Sequence, residues 1–247
     1  VELSHGIRLS LIPGILKGVE DGLVRISSLH NFCPLPVGVM GAAPNLYEPS
    51  APGRQERALW LSNTRRTVDF ANRVDCDRVV LHSGRVRFRW RDPQHRLEVA
   101  RKAAGPEGGE VLERARDKGL QQLRKAQGTF IARLRDSFSR IAEHAARQGV
   151  RFGVENREGF TELPLDEDMV RLLDSLDEGG VFGYWHDTGH ACLKEQAGLL
   201  DHGTFLESLR PRLLGFHLHD VTPEGRDHQP PGRGLIDWPA LAPLIRK

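Results

Sequence analysis

An α/β fold built on a parallel (β/α)8 barrel is what this 247-residue sequence predicts. Two observations predict it. Short runs rich in β-branched and aromatic residues alternate with longer helical patterns, the rhythm of βαβ units around a parallel sheet. Several of those runs also stop at Glu, Asp or His, as expected where the C-terminal ends of barrel strands converge on one mouth.

In chain order the strand candidates are VELS at the start, VRISSLHNF (24–32), RVVLHSG (78–84), VRFGVEN (150–156), VFGYWHD (181–187) and LLGFHLHD (213–220). Apolar runs this short, bounded by polar residues or glycine, read as buried parallel strands. Helix candidates lie at 54–74, where Ala58, Leu61, Val68 and Ala71 are among the apolar positions, at 110–148, at 166–176 and at 203–210. Six strands are visible where eight would close a barrel. The sequence is therefore expected to be a barrel truncated at both ends, starting in the second strand and stopping in the helix WPALAPLIRK, before a last strand. No linker divides the chain, so a single domain over 1–247 is expected, with an elaborated loop at about 85–109.

That loop, RVRFRWRDPQHRLEVARKAAGPEGG, admits two readings. It can be a cover over the mouth running into a solvated amphipathic helix. Alternatively Arg85, Arg87, Arg89 and Arg91, alternating with Phe88 and Trp90, grip a phosphate-bearing substrate.

Composition narrows the partners. The formal net charge is +2, from 35 basic and 33 acidic residues, so no overall field argues for nucleic acid. There is no apolar run of transmembrane length. Cys33, Cys76 and Cys192 are odd in number and lack a CxxC spacing, which fits reduced thiols in a cytoplasmic protein.

The chemistry rests on carboxylate oxygen and imidazole nitrogen at successive strand ends, a donor set that suits zinc, manganese, cobalt or magnesium. Glu155 ends GVEN. Asp187 and His190 are three apart, with Gly189 allowing a tight bend between them. His217 and His219 are two apart on one strand, so they face the same side; one is read as a ligand and the other as orienting a neighbour. Asp227 and His228 follow in a loop after Arg226. His30 and His82 end two earlier runs.

In order and content, GVEN, HDTGHA, GFHLHD and DHQPPGRGLIDW resemble the xylose isomerase-like TIM-barrel superfamily, which includes sugar-phosphate isomerases and epimerases, D-tagatose 3-epimerase-like enzymes and endonuclease IV. The resemblance implies a metal shell of Glu155, Asp187 and His217, with Glu155 also an acid/base and His190 contacting substrate oxygens; a glutamate on the last strand would supply the fourth ligand. It implies proton transfer on a sugar or sugar phosphate through an enediolate. For a modest sugar, Trp185 and Phe32 are expected to line an apolar wall, and Arg226 is expected to hold a terminal oxygen or phosphate. A homo-oligomer is left open. Against the nuclease branch, His30 and His82 resemble ligands of an additional metal beside Glu155, and His190, Asp227 and His228 those of a third. A multi-metal phosphodiester hydrolase is therefore the alternative, with a keto-polyol dehydratase and a non-catalytic ligand-binding barrel behind it.

Overall fold

The computed structural model describes residues 1–90, 92–104, 109–176 and 179–245. Its centre is one parallel sheet of six strands in chain order: β1 (Glu2–Leu3), β2 (Ser28–His30), β3 (Arg78–Leu81), β4 (Arg151–Glu155), β5 (Phe182–Asp187) and β6 (Leu213–His217). Consecutive strands pair in parallel, each return being made through helix. This is the open (β/α)8 arrangement the sequence predicts, with six strands among the described residues.

The register sorts the side chains into two faces. Along β5, Phe182, Tyr184 and His186 point at the helix layer, whereas Gly183, Trp185 and Asp187 point into the barrel. The outward face is the main core. Phe182 stacks on Phe138 of α5 (Gly128–Arg147), with ring centroids 5.1 Å apart, and Phe138 stacks on Trp60 of α2 (Arg54–Arg73) at 5.7 Å. Each such pair contributes about 0.5–1.5 kcal/mol beyond the apolar area it removes from water. Also outward, Tyr184 Oη meets His186 Nδ1 at 2.7 Å, and His186 Nε2 meets His202 Nε2 at 3.0 Å, so the polar groups of this layer satisfy one another.

Four helices lie outside the sequence pattern or divide it differently. The segment 110–148 is two helices, α4 (Gly109–Ala126) and α5, broken at Gln127. The break lets α4 pair with α3 (Pro93–Ala104) as a hairpin while α5 returns to the sheet; Gln127 Nε2 donates to Asp168 and pins the corner. Helices α1 (Ile12–Glu20) and α7 (Thr188–Gln196) were not marked by periodicity. The remaining helices are α6 (Met169–Asp174), α8 (His202–Leu209) and α9 (Trp238–Ile245).

The elaborated loop is more structured than a cover. Arg85 bridges Glu162 in antiparallel fashion, and Val86 N donates to Thr161 O at 2.9 Å, before α3 begins. Gly84, at φ +80°, turns the chain into this segment against Ser50, where any side chain would collide with Ser50 Oγ. Among the described residues no helix is long and apolar enough to cross a membrane.

Candidate metal centre

The inward ends of β2 to β6 bring His30, Glu155, Asp187 and His217 to one place, and His82 joins them one residue beyond β3. Glu155 and Asp187 are each only 1% exposed. Beneath them the indole of Trp185 fills the barrel interior, its ring centroid 5.4 Å from that of His217. Glycine on both flanking strands makes the room: a Cβ on Gly153 would lie 2.8 Å from Trp185 Cε3, and one on Gly215 would overlap the same ring system. Trp185 is thus a floor under the donors.

Local backbone chemistry sets the strand ends. Asn156 clamps β4 to β5, its Nδ2 donating to Asp187 O at 2.9 Å and its Oδ1 accepting from Asp187 N at 2.7 Å. Asp187 then caps α7, its Oδ1 accepting from His190 N at 2.8 Å, which turns His190 back over the site.

Among the described residues, donor atoms within 4.8 Å of one another form four sets: Glu155, Asp187 and His217; His30, His82 and Glu155; His219, Asp227 and His228; and Glu158, His190 and Asp227. Glu155 is common to two of them and divides its oxygens. Oε1 lies 2.8 Å from His217 Nδ1, whereas Oε2 lies 2.8 Å from His82 Nε2 and 3.6 Å from His30 Nε2. His219 Nε2 donates to Asp187 Oδ2 at 2.8 Å, and its Nδ1 lies 2.8 Å from Asp227 Oδ1. His228, at φ +60°, lays its ring on that of His219 with centroids 4.3 Å apart.

Two histidines show how the cluster presents its nitrogens. His30 Nδ1 faces Asn31 O at 2.9 Å, and His190 Nδ1 faces Asn156 O at 2.9 Å. A backbone carbonyl can only accept, so both Nδ1 atoms donate. In the neutral ring the other nitrogen is then a lone pair, and it points at a carboxylate: His30 Nε2 at Glu155, and His190 Nε2 at Asp227 Oδ2, 3.7 Å away. Acceptor facing acceptor is repulsive unless a proton or a metal ion sits between, and a histidine whose far nitrogen is tied to a carbonyl is the usual arrangement of a metal ligand. The residues present fit a divalent ion.

The charges agree. Of the cluster's carboxylates, Glu155 is met by a buried guanidinium, Arg157, whose Nη1 donates to Glu155 at 3.2 Å and whose Nε donates to Glu162 at 3.2 Å. Burial opposes the charge on Glu155, yet His217, His30, His82 and Arg157 hold its carboxyl well below the usual range. Burial also opposes charge on His217, but the carboxylates of Asp187, Glu155 and Glu2 outweigh it and push the imidazole up to about 12. For His219 burial is outweighed by Asp187 and Asp227, and the ring rises to about 10. His82 goes the other way: burial, helped by Arg157, pushes it down to about 3. His217 and His219 are thus favoured in their charged form by the carboxylates they face.

Other expected contacts fall elsewhere. Arg85 donates to Glu48 at 2.8 Å, and Arg87 is bound to both Glu48 and Glu56. Both line a cavity of about 910 Å³ beside Arg157, but their charge is already matched. Arg89 and Trp90 are exposed, and Arg91 lies outside the described residues. Arg226 is exposed, with its backbone closing a turn on Thr222. Phe32 is buried against Tyr47, centroids 5.9 Å apart. Five contributors were not marked in the sequence: Glu2, Asn45, Asn156, Arg157 and Glu158. Asn45 Oδ1 lies 2.7 Å from His82 Nδ1. Of these only Asn156 and Arg157, beside Glu155, carried a positional hint.

Residues 23–247 match the family model described as xylose isomerase-like TIM barrel. Similar solved structures include a D-tagatose 3-epimerase-like protein, at 18% identity and TM-score 0.65 over 99% of this chain and 76% of that one. A 3-keto-D-glucoside 4-epimerase from E. coli follows at 15% and 0.64, over 96% and 73%. A D-psicose 3-epimerase crystallised in the presence of D-fructose matches at 15% and 0.62, over 98% and 70%. At such identities the likeness is one of fold. A search of curated protein sequences gives no match.

Proposed function

The chain belongs to the xylose isomerase-like TIM-barrel family, and from that premise we propose that it is a divalent-metal-dependent sugar isomerase or epimerase. The observation that carries the reading is the mixed oxygen and nitrogen set of Glu155, Asp187 and His217 at adjacent strand ends, which suits manganese, cobalt or zinc. When bound there, the ion supplies positive charge that acidifies a C–H beside a substrate carbonyl. Glu155, held ionised by its neighbours, is the carboxylate placed to take that proton and give it back. Arg157 keeps Glu155 in position and balances its charge. His190, anchored through Nδ1 to Asn156 O, presents Nε2 to the mouth and orients substrate oxygens. With Arg85 and Arg87 already paired, an unphosphorylated sugar is favoured over a sugar phosphate.

One observation favours the second reading. Glu155 offers one oxygen to each of two donor sets, the disposition of a carboxylate shared by two ions, and clustered ions suit attack of water on a phosphodiester.

The experiment takes the full chain with Mn²⁺ or Co²⁺ in D₂O with D-tagatose, D-psicose and D-fructose, measures metal occupancy, and follows solvent deuterium entering the carbon beside the carbonyl. Wild type should exchange with one ion per chain, and Glu155→Gln should slow exchange roughly 10²–10⁴-fold with its circular dichroism unchanged. Undiminished exchange in the variant removes Glu155 from the chemistry. Two or three ions, with hydrolysis of bis(p-nitrophenyl) phosphate and no exchange, would replace this reading with the second.

A further inference from the structure

We propose that Glu2 is the positioning carboxylate that selects which nitrogen of His217 meets the metal. The proposal rests on the metal reading of Glu155, Asp187 and His217.

Glu2 stands on β1, paired in register with Ser28 of β2, and its side chain turns into the barrel. There Oε1 lies 3.1 Å and Oε2 3.2 Å from His217 Nε2. Ser28 Oγ donates to Oε2 at 2.7 Å and fixes the carboxylate from behind. The opposite nitrogen of His217, Nδ1, faces Glu155 Oε1 at 2.8 Å and Asp187 Oδ2 at 3.6 Å. A carboxylate at Nε2 holds the proton on that nitrogen and leaves the Nδ1 lone pair for the ion.

This inverts the rule followed by the neighbours. His30 and His190 donate through Nδ1 to backbone carbonyls and offer Nε2, so a histidine left to local backbone partners would present the wrong nitrogen at this strand end. His217 has its outer partner on the far side of the barrel. Glu2 lies on the Nε2 side of the ring and cannot reach an ion on the Nδ1 side, so it acts through His217. The ring of His30, stacked on that of His217 with centroids 5.9 Å apart, limits rotation of the imidazole and reinforces the choice.

The test uses the full chain and Zn²⁺ alone. Zn²⁺ affinity is measured by competition with a chromogenic chelator, and the ¹⁵N shifts of His217 are read in the zinc-loaded protein. Wild type should show Nε2 protonated and Nδ1 bound to metal. Glu2→Ala should weaken Zn²⁺ binding roughly 10–100-fold, Glu2→Gln, which keeps an acceptor oxygen, should weaken it less, and Ser28→Ala should fall between wild type and Glu2→Ala. Glu20→Ala, an exposed acid on α1, controls for loss of net charge and should bind as wild type does. A Glu2→Ala chain that binds Zn²⁺ as tightly as wild type, or a His217 protonated at Nδ1 in the loaded wild type, overturns the assignment to Glu2 and leaves the metal site standing. A wild type that takes up no Zn²⁺, or a Glu155→Gln chain that binds it equally well, overturns the metal reading and this proposal with it. The ¹⁵N spectra separate a positioning loss from an unfolded variant, because an unfolded chain gives no resolved His217 pair.

Discussion

The two oxygens of Asp187 have different partners. Oδ1 accepts from His190 N and caps α7, while Oδ2 accepts from His219 Nε2 and faces His217. One residue therefore starts a helix and supplies a donor, which is why Asp187 and His190 could be read for chemistry, a ligand and a substrate contact, while the helix behind them went unmarked. His217 carries a consequence for pH. Its pKa, pushed up to about 12 by the surrounding carboxylates despite burial, leaves it protonated at pH 7 in the metal-free chain. An ion must displace the Nδ1 proton, so apparent metal affinity should fall as pH falls, about tenfold per pH unit for each proton released. Zinc titrations by calorimetry in buffers of different ionisation enthalpy should return at least one proton released per ion at pH 7. A slope of zero would mean that His217 is already neutral and that the charge argument fails.

At the scale of elements, the strands were legible because each is a buried run that stops at a polar residue: GVEN, WHDTGH and FHLHD point to β4, β5 and β6 and to the donors at their ends. The site's outer partners were not legible. Glu2 sits on a two-residue strand, too short for alternation to show, and its partner is on the last strand. Asn45 and Arg157 lie in loops, where only the fold decides what they meet. The long helical pattern from 110 hides the corner at Gln127 because helix propensity runs through it. Glycine inside strands was a signal passed over. Gly153 and Gly215 flank Trp185, and the indole needs the space of both side chains. Gly215→Ala should cost about 1–3 kcal/mol by overpacking and lower zinc affinity by lifting Trp185 against His217. Gly14→Ala on α1, where an added Cβ meets nothing within 4 Å, should stabilise by about 0.5–1 kcal/mol. Urea unfolding of the two variants checks both, and equal midpoints would show that the floor is soft.

Over the whole molecule, the titrating groups pull stability in two directions. His82 and His186 are held down to about 3, chiefly by burial, and stay neutral in the fold. Unfolded, they take up protons near 6.5, so their contribution is complete above that value and is lost as pH falls. His217 and His219 are raised, so theirs is complete below about 6.5 and is lost as pH rises toward 10 and 12. Glu162 and Asp187, both depressed, add to the loss below about pH 4. Metal-free protein should therefore show a urea midpoint that peaks near pH 6–7 and declines on either side, and zinc should flatten the alkaline limb. A midpoint that climbs steadily from pH 5 to 9 would refute this balance. The contact between Glu2 and His217 joins residues 215 apart in sequence and spans the sheet from its first strand to its last. Closing so long a loop carries a large entropy cost that local contacts cannot offset in advance. The clasp can form only after the intervening strands have found their order, which makes the site a late product of folding and an ion bound there a seal on a sheet already assembled.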